Sequence, residues 1–277
     1  MKESYHNLQG IQLCVRQWGD KPDIIILHGW LDQSAAWDPV AEFLSQKGHT
    51  IAIPDQRGHG LSDHAAENSH YHFPDYVRDL ALLHEALGTS SAHVIGHSMG
   101  GTIASIYAAL FPERVRSLTL IEGLGPIEES DEQALRRYKT HLQQRCTPKT
   151  HRLFSSTEEA IERLQQRYPS LPRQRASFLA QRMLIQKENG WMWRFDPRHK
   201  EKSAISFSLS RHQHILSSIQ CPCSIIMGNQ SPYKDWIDVS QRISWIATLT
   251  KMYAIDGGHA LHMENHEQLC VTLDTIL

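Results

Sequence analysis

The sequence predicts an α/β fold in which a mostly parallel β-sheet is covered by helices on both faces and interrupted once by a helical insertion. In the first half of the chain, short apolar runs alternate with segments of helical spacing, a pattern typical of parallel strands joined by crossover helices. The alternation then breaks into a charged, helix-rich stretch and resumes near the C-terminus. We therefore expect a core built from residues 1–125 and 208–277 and a helical cap built from residues 126–207.

Length and composition exclude several classes of function. The 277 residues suit one large domain or a core with an insertion, and 40% of them are hydrophobic. A formal net charge of -2 offers no basic surface for nucleic acid or for an anionic membrane. No apolar run approaches the roughly 20 residues of a membrane span. We expect neither nucleic acid nor a membrane as a partner, and the oligomeric state stays open.

The N-terminus and the cysteines bear on the cellular compartment. Residues 1–18 lack the apolar segment of a signal peptide and alternate as an early strand does. The chain has five cysteines, an odd number without the spacing of a disulfide framework. Free thiols in a reducing compartment are the simpler interpretation, so we expect a cytoplasmic protein.

The first elements are predicted from three consecutive stretches. The stretch DIIILHGW (23–30) contains a short, continuously apolar run that ends at Gly29, as a fully buried strand does. SAAWDPVAEFLSQKG (34–48) has apolar residues at helical spacing, with a serine before it and a glycine after it, and predicts a helix. HTIAIPD (49–55) predicts the next strand.

The same reasoning assigns the rest of the core. Its elements are predicted, in chain order, as a helix over 73–88, a strand over 92–96, a helix over 99–111, strands over 116–123, 223–228 and 250–258, and a last helix over about 262–276. Strands separated by helices of this length imply parallel pairing.

One strand-to-helix junction carries a candidate nucleophile. The stretch from Gly96 to Gly100 matches G-x-S-x-G with Ser98 at its centre, directly between a predicted strand and a predicted helix. Such a turn is so tight that side chains flanking the serine would clash, and glycine removes them. At a helix N-terminus the serine meets amides that favour negative charge. The alternative is a glycine-rich turn whose serine only caps the helix.

A serine nucleophile needs a base, and 18 histidines compete for the role. His259 lies between the last predicted strand and the last predicted helix, after two glycines that let its loop approach the site. His262 and His266 follow on the helix, where we expect a solvated face. A metal cluster of these three histidines is the alternative, but HMENH is not the H-E-x-x-H pattern of zinc-binding helices.

Two backbone amides should stabilise the oxyanion. One is the amide of Met99, directly after the nucleophile. The other is expected from the loop after strand 23–30, where Gly29 allows a turn and the amide of Trp30 is the best candidate. The glycine-rich segment 55–63 is expected to have a structural role.

Four motifs then stand in the order and spacing of the α/β-hydrolase superfamily: LHGW (27–30), DQRGHGLS (55–62), GHSMGG (96–101) and GGHALHME (257–264). The resemblance covers residues 10–124 and 208–277. It implies an α/β-hydrolase fold with an eight-stranded sheet, a Ser–His–acid triad, an acyl-enzyme intermediate and no cofactor. It maps the nucleophile to Ser98 and the base to His259. The segments LTLIEGLGP and GWMWRFDPR further resemble the serine hydrolase-like proteins, a cap-bearing branch.

The acid departs from the commonest pattern of that superfamily. Most relatives carry it after the strand that follows the cap, where this chain has Ser231, with Asp235 four residues late. The superfamily also uses the end of the strand after the nucleophile helix, and Glu122 stands there. A carboxylate that ends a buried strand needs a partner, and a histidine is one. We favour Glu122, with Asp235, Asp238 or a weaker Ser–His dyad as alternatives.

The cap and the nucleophile narrow the chemistry. A serine points to acyl transfer, so we expect a serine hydrolase, foremost a carboxylesterase for short-to-medium acyl esters, with a C–C bond hydrolase, a cofactor-free perhydrolase or a non-catalytic binding protein as alternatives. Trp191, Trp193 and Phe195 are candidates for the substrate pocket, or they pack the cap onto the core. The segment 128–145 carries charge nearly all round a helix, which argues against docking onto lipid.

Overall fold

The computed structural model describes residues 1–146, 150–169 and 171–277. The strands are, in chain order, β1 (Lys2–Asn7), β2 (Gln12–Trp18), β3 (Ile24–Leu27), β4 (Ile51–Pro54), β5 (Ala92–His97), β6 (Val115–Ile121), β7 (Leu184–Lys187), β8 (Gly190–Trp193), β9 (Cys223–Gly228) and β10 (Leu249–Ile255). The helices are α1 (Asp38–Gln46), α2 (Phe73–Ala86), α3 (Met99–Leu110), α4 (Asp131–Cys146), α5 (Thr157–Arg167), α6 (Arg173–Met183), α7 (Leu209–Ser217), α8 (Tyr233–Trp236), α9 (Val239–Ile243), α10 (Leu261–Glu264) and α11 (His266–Ile276). Short 3-10 helices cover Ser34–Trp37, Pro112–Arg114 and Pro197–Lys200.

Eight strands form one sheet in the order β1-β2-β4-β3-β5-β6-β9-β10. The β1–β2 and β2–β4 pairs are antiparallel, and every other pair in this sheet is parallel. The predicted mostly parallel eight-stranded sheet flanked by helices is therefore confirmed. The sequence pattern anticipated one early strand, whereas residues 2–18 form a two-stranded hairpin, because the turn at Gly10 has a φ of 97° that reverses the chain.

The register of the central strands brings the ends of three of them to one edge. His97, the last residue of β5, pairs with Ile121, the last residue of β6. On the other side of β6, Ile121 pairs with Ile226 of β9. The residues directly after β5 and β6 therefore lie side by side at the carboxyl edge of the sheet, where parallel α/β sheets hold their sites.

Helices bury an apolar core on each face of the sheet. On one face α2, α3 and α7 bury side chains such as Leu83, Tyr107 and Leu216. On the other face α1 and α11 bury Leu44 and Leu273. Both faces of the central strands are covered, which explains why those strands read as continuous apolar runs in the sequence.

Residues 126–207 hold helices α4 to α6 and the hairpin β7–β8, and none of the strands in the large sheet. The sequence predicts a helix-rich stretch here and gives no signal for the hairpin, which also bridges to Phe154. The expectation of charge all round the first helix is wrong for one face: α4 exposes Leu135, Tyr138 and Leu142, which are spaced three and four residues apart. The division into core and cap stays a prediction.

Two further features concern the chain as a whole. Across the described residues, none of the helices is both long and apolar enough to cross a membrane. Four cysteines are buried and free, namely Cys14, Cys221, Cys223 and Cys270, while the side chain of Cys146 lies outside the described residues.

Candidate active site

Ser98 forms the turn between β5 and α3 and has a strained backbone, with φ 53° and ψ −113°. The amide of Ser98 donates to the carbonyl of Ile121, which fixes the turn against β6 at 3.0 Å. A Cβ on Gly96 would lie 2.5 Å from the carbonyl oxygen of Gly100, and a Cβ on Gly100 would lie 2.2 Å from that of Leu27. The turn therefore requires glycine at both positions, as the motif predicts.

The structure brings Ser98, His259 and Glu122 together in one hydrogen-bonded chain. His259 Nδ1 lies 3.1 Å from Glu122 Oε2, and His259 Nε2 lies 2.9 Å from Ser98 Oγ. The ionised carboxylate can only accept, so Nδ1 carries the proton and Nε2 is left to accept the one on Ser98. This is the arrangement in which a histidine can act as base toward a serine.

Glu122 is fully buried and accepts two further hydrogen bonds. The amide of Gly228 donates to its Oε1 at 2.6 Å, and the hydroxyl of Ser231 donates to its Oε2. Asp235 and Asp238 are both exposed, and Asp238 accepts from an amide at the start of α9. Of the three carboxylates considered, the one placed against His259 is Glu122.

Trp30 and Met99 line the same cavity as Ser98. Met99 is the first residue of α3, so its amide has no acceptor within its own helix. The Trp30 indole donates from Nε1 to the carbonyl of His199 at 3.1 Å, which ties this loop to residues 197–200. The role of the two amides as an oxyanion hole stays a prediction.

A cavity of about 390 Å³ opens above Ser98. Aromatic side chains that the motifs did not indicate form much of its wall: Tyr71, Phe73, Tyr76, Tyr233 and Trp236. The Trp236 and Tyr233 rings lie 5.5 and 5.6 Å from the ring of His259. Tyr233 and Trp236 could have been identified from the sequence by their position, since both follow β9 at the carboxyl edge of the sheet.

The prediction that Trp191, Trp193 and Phe195 line the substrate pocket is wrong for the cavity above Ser98. None of these three side chains is part of its wall, and Trp193 and Phe195 border a separate cavity instead. The Trp193 ring packs edge-on against Phe154 at 5.0 Å. Leu31 and Met263 also line the cavity that Trp193 and Phe195 border, which agrees with the alternative that these side chains pack residues 126–207 against the rest of the chain.

His262 is also placed differently from the expected solvated face. It is 2% exposed, stacks on Trp37 at 4.2 Å, and its Nε2 lies 3.0 Å from Asp32 Oδ2. Burial disfavours a charged Asp32, but its interaction with His262, together with the nearby His28 and His97, lowers the pKa of Asp32 below its ordinary value. His97 borders this pair and donates from Nε2 to the carbonyl of His259 at 2.7 Å.

Asp32, His97 and His262 are, within the described ranges, the group whose ligand atoms come near enough for a metal ion, all within 4.8 Å of one another. They come from three different segments: Asp32 from the loop after β3, His97 from the end of β5, and His262 from α10. The histidine set suggested by spacing, His259 with His262 and His266, is not brought together in this way, because both ring nitrogens of His259 face Ser98 and Glu122.

The segment 55–63 has the structural bonds expected of it. The Asp55 carboxylate accepts from the amides of Ser34 and Leu61, each at 2.8 Å. The Arg57 guanidinium forms a bidentate pair with Asp79 of α2. The loop is thereby bonded both to the 3-10 helix that precedes β4 in the chain and to α2, which follows it.

Comparison with known proteins agrees with this geometry. The family model described as the alpha/beta hydrolase fold matches residues 22–266. The chain is 29% identical over 265 residues to a serine hydrolase-like protein of Danio rerio, covering 92% of this chain and 81% of that one. It is 32% identical over 121 residues to a bifunctional esterase/perhydrolase of Acinetobacter calcoaceticus, covering 43% of each. A solved thioesterase domain from the curacin biosynthetic pathway superposes with a TM-score of 0.89 at 28% identity, covering 99% and 98% of the two chains.

Proposed function

The chain belongs to the α/β-hydrolase-fold family, and on that premise we propose that it is a serine hydrolase, specifically a carboxylesterase for short-to-medium acyl esters. The observation that carries the proposal is the hydrogen-bonded chain from Ser98 through His259 to the buried Glu122. A serine that merely capped α3 would have no need of an oriented base.

The chemistry follows from the protonation states. Ser98 Oγ attacks the ester carbonyl while its proton passes to His259 Nε2, and Glu122 stabilises the imidazolium. The amides of Met99 and Trp30 are the donors available to the oxyanion. Collapse expels the alcohol, which takes the proton from His259, and leaves Ser98 acylated. Water then repeats the sequence and releases the carboxylic acid.

Cavity size supports small substrates. A volume of about 390 Å³ lies at the lower end of the roughly 300–1,000 Å³ of small-molecule sites. The wall is mostly aromatic and aliphatic, which suits an acyl group better than a sugar or a nucleotide. We propose a small-molecule ester as the partner, and a cytoplasmic location without nucleic acid or membrane partners.

A perhydrolase or a C–C bond hydrolase remains the alternative within the same fold. The similarity to a bifunctional esterase/perhydrolase favours the first of these. A perhydrolase would use the same acyl-enzyme and differ only in accepting peroxide instead of water. A binding protein of this fold would need neither the oriented His259 nor the buried Glu122.

Two measurements test the proposal. A fluorophosphonate probe should label the protein at Ser98, because an activated serine attacks phosphorus as it attacks a carbonyl. A panel of p-nitrophenyl esters, lactones and thioesters should show turnover of the esters, with peroxide competition reporting perhydrolysis. Absence of labelling together with absence of turnover would leave a binding protein as the better account.

A further inference from the structure

A second cavity, of about 410 Å³, adjoins the one above Ser98. The two cavities have six wall residues in common: Tyr71, Phe73, Thr102, Pro126, Ile127 and Ser203. Beyond these shared residues the wall of the second cavity continues with Ile106 of α3 and Ile215 of α7. The space available to a substrate therefore does not end at the catalytic cavity.

The direction of the second cavity follows from α3. Ser98, Thr102 and Ile106 are spaced four residues apart, so they lie along one face of that helix. Thr102 borders both cavities and Ile106 borders only the second. At about 1.5 Å per residue, the eight residues from Ser98 to Ile106 span about 12 Å. The second cavity thus leads away from the nucleophile along the helix.

Two charged or polar side chains of this wall already have partners elsewhere in the protein. His212 Nε2 donates to the carbonyl of Leu124 at 2.9 Å, and Arg137 pairs with Glu129. Two apolar side chains at the wall, Ile127 and Ile205, are by contrast 57% and 53% exposed. An apolar ligand in this cavity would cover them, at about 25 cal/mol per Å² of area removed from water.

We propose that the second cavity binds the unbranched hydrocarbon chain of the substrate, so that the preferred acyl esters are of medium length. This inference rests on the proposed esterase function. An extended chain advances about 1.2 Å per bond, so the roughly 12 Å from Ser98 to Ile106 correspond to about ten carbons. A chain of this length fills the cavity, and longer chains emerge beside the exposed Arg211.

The test is the chain-length profile of kcat/KM for p-nitrophenyl esters from acetate to palmitate. The wild type should have its optimum near decanoate. Ile106→Phe should shorten the optimum and lower the decanoate-to-acetate ratio by on the order of tenfold, since each methylene excluded from the cavity is worth about fourfold (about 0.8 kcal/mol). Ile106→Ala should move the optimum to longer chains. Leu110→Phe, at an exposed site one turn further along α3, is the matched control and should leave the ratio unchanged.

The outcomes separate this inference from the proposed function. Fluorophosphonate titration counts the active sites of each variant, so loss of folded protein is not read as loss of specificity. An optimum that does not move in either Ile106 variant, while acetate is still hydrolysed, overturns the subsite and leaves the esterase standing. A wild type that hydrolyses no ester of any length rejects the esterase itself.

Discussion

Ser231 donates a hydrogen bond from its hydroxyl to the carboxylate of Glu122. Ser231 stands where the superfamily resemblance leads us to expect the acid, and its Oγ also accepts from the amide of Tyr233 at 3.1 Å. The loop after β9 therefore lacks the usual acid, yet it still contributes a residue to the hydrogen-bonded chain of the site. It provides a donor to a carboxylate that comes from β6 instead.

The acid is tested by two matched amide variants. Glu122→Gln keeps the shape of the side chain and removes its charge, so His259 loses both its orientation and the stabilisation of its imidazolium. We expect kcat for a short ester to fall by on the order of 10³ or more. Asp235→Asn, at an exposed site, should retain most of the activity. Steady-state kinetics of the two variants decide, and the reverse ranking would move the acid to the loop after β9.

A carboxylate placed at position 231, in the loop after β9, should restore part of the rate that Glu122→Gln loses. In Glu122→Gln/Ser231→Asp, the new carboxylate would start from a position already within hydrogen-bond distance of residue 122. We expect the double variant to be faster than Glu122→Gln alone, because His259 regains a nearby anion. Equal rates for the single and double variants would show that a carboxylate at position 231 cannot reach His259.

The nucleophile is tested by Ser98→Ala. Alanine fits the turn, so the thermal unfolding midpoint should stay close to that of the wild type. Loss of the Ser98 hydroxyl should abolish both ester turnover and labelling by fluorophosphonate. A Ser98→Ala variant with undiminished activity would contradict the mechanism.

His97 is expected to position the base. Its Nε2 donates to the carbonyl of His259, and burial keeps its pKa well below that of an ordinary histidine, so the ring stays neutral. In His97→Leu the base loop loses this anchor, and kcat should fall by on the order of ten- to a hundredfold with little change in KM. His97→Gln offers an amide donor and should recover part of kcat. A loss that the Gln variant does not relieve would indicate a packing role instead.

Stability should depend on pH through His212. Burial lowers the pKa of His212 to about 4, below the value of about 6.5 in an unfolded chain. Between these two values the unfolded state binds the proton and the folded state does not, so stability rises with pH across this window. At pH 5 this histidine should reduce the free energy of unfolding by about 2 kcal/mol relative to pH 8.

Denaturant unfolding of the wild type and of His212→Gln at pH 5 and pH 8 measures this contribution. The glutamine variant can keep a hydrogen bond to the Leu124 carbonyl, so its stability should depend less on pH. The same pH dependence in both proteins would assign the acid sensitivity to other buried histidines, such as His59 and His199, whose pKa values burial also lowers.

Much of the core could be predicted because its signals are local. β9 occupies the predicted residues 223–228, and α3 begins at the predicted Met99, directly after Ser98. Alternation of apolar runs and helical spacing needs no knowledge of the partners in space. The hairpin β7–β8 was missed because only Leu184 of it is buried and its pairing is with itself and Phe154, so no apolar run marks it.

The motifs alone singled out Ser98 and His259, since a tight glycine turn and a glycine-rich loop each leave a mark within a few residues. The sequence already favoured Glu122 as the acid but left Asp235 open. The contact of Glu122 with His259, the burial of His262 against Asp32, and the exclusion of Trp191 and Trp193 from the cavity above Ser98 needed the folded chain. Each of these depends on distances between residues far apart in sequence, and those distances follow from strand order and register. The spacing of residues along one segment carries no information about them.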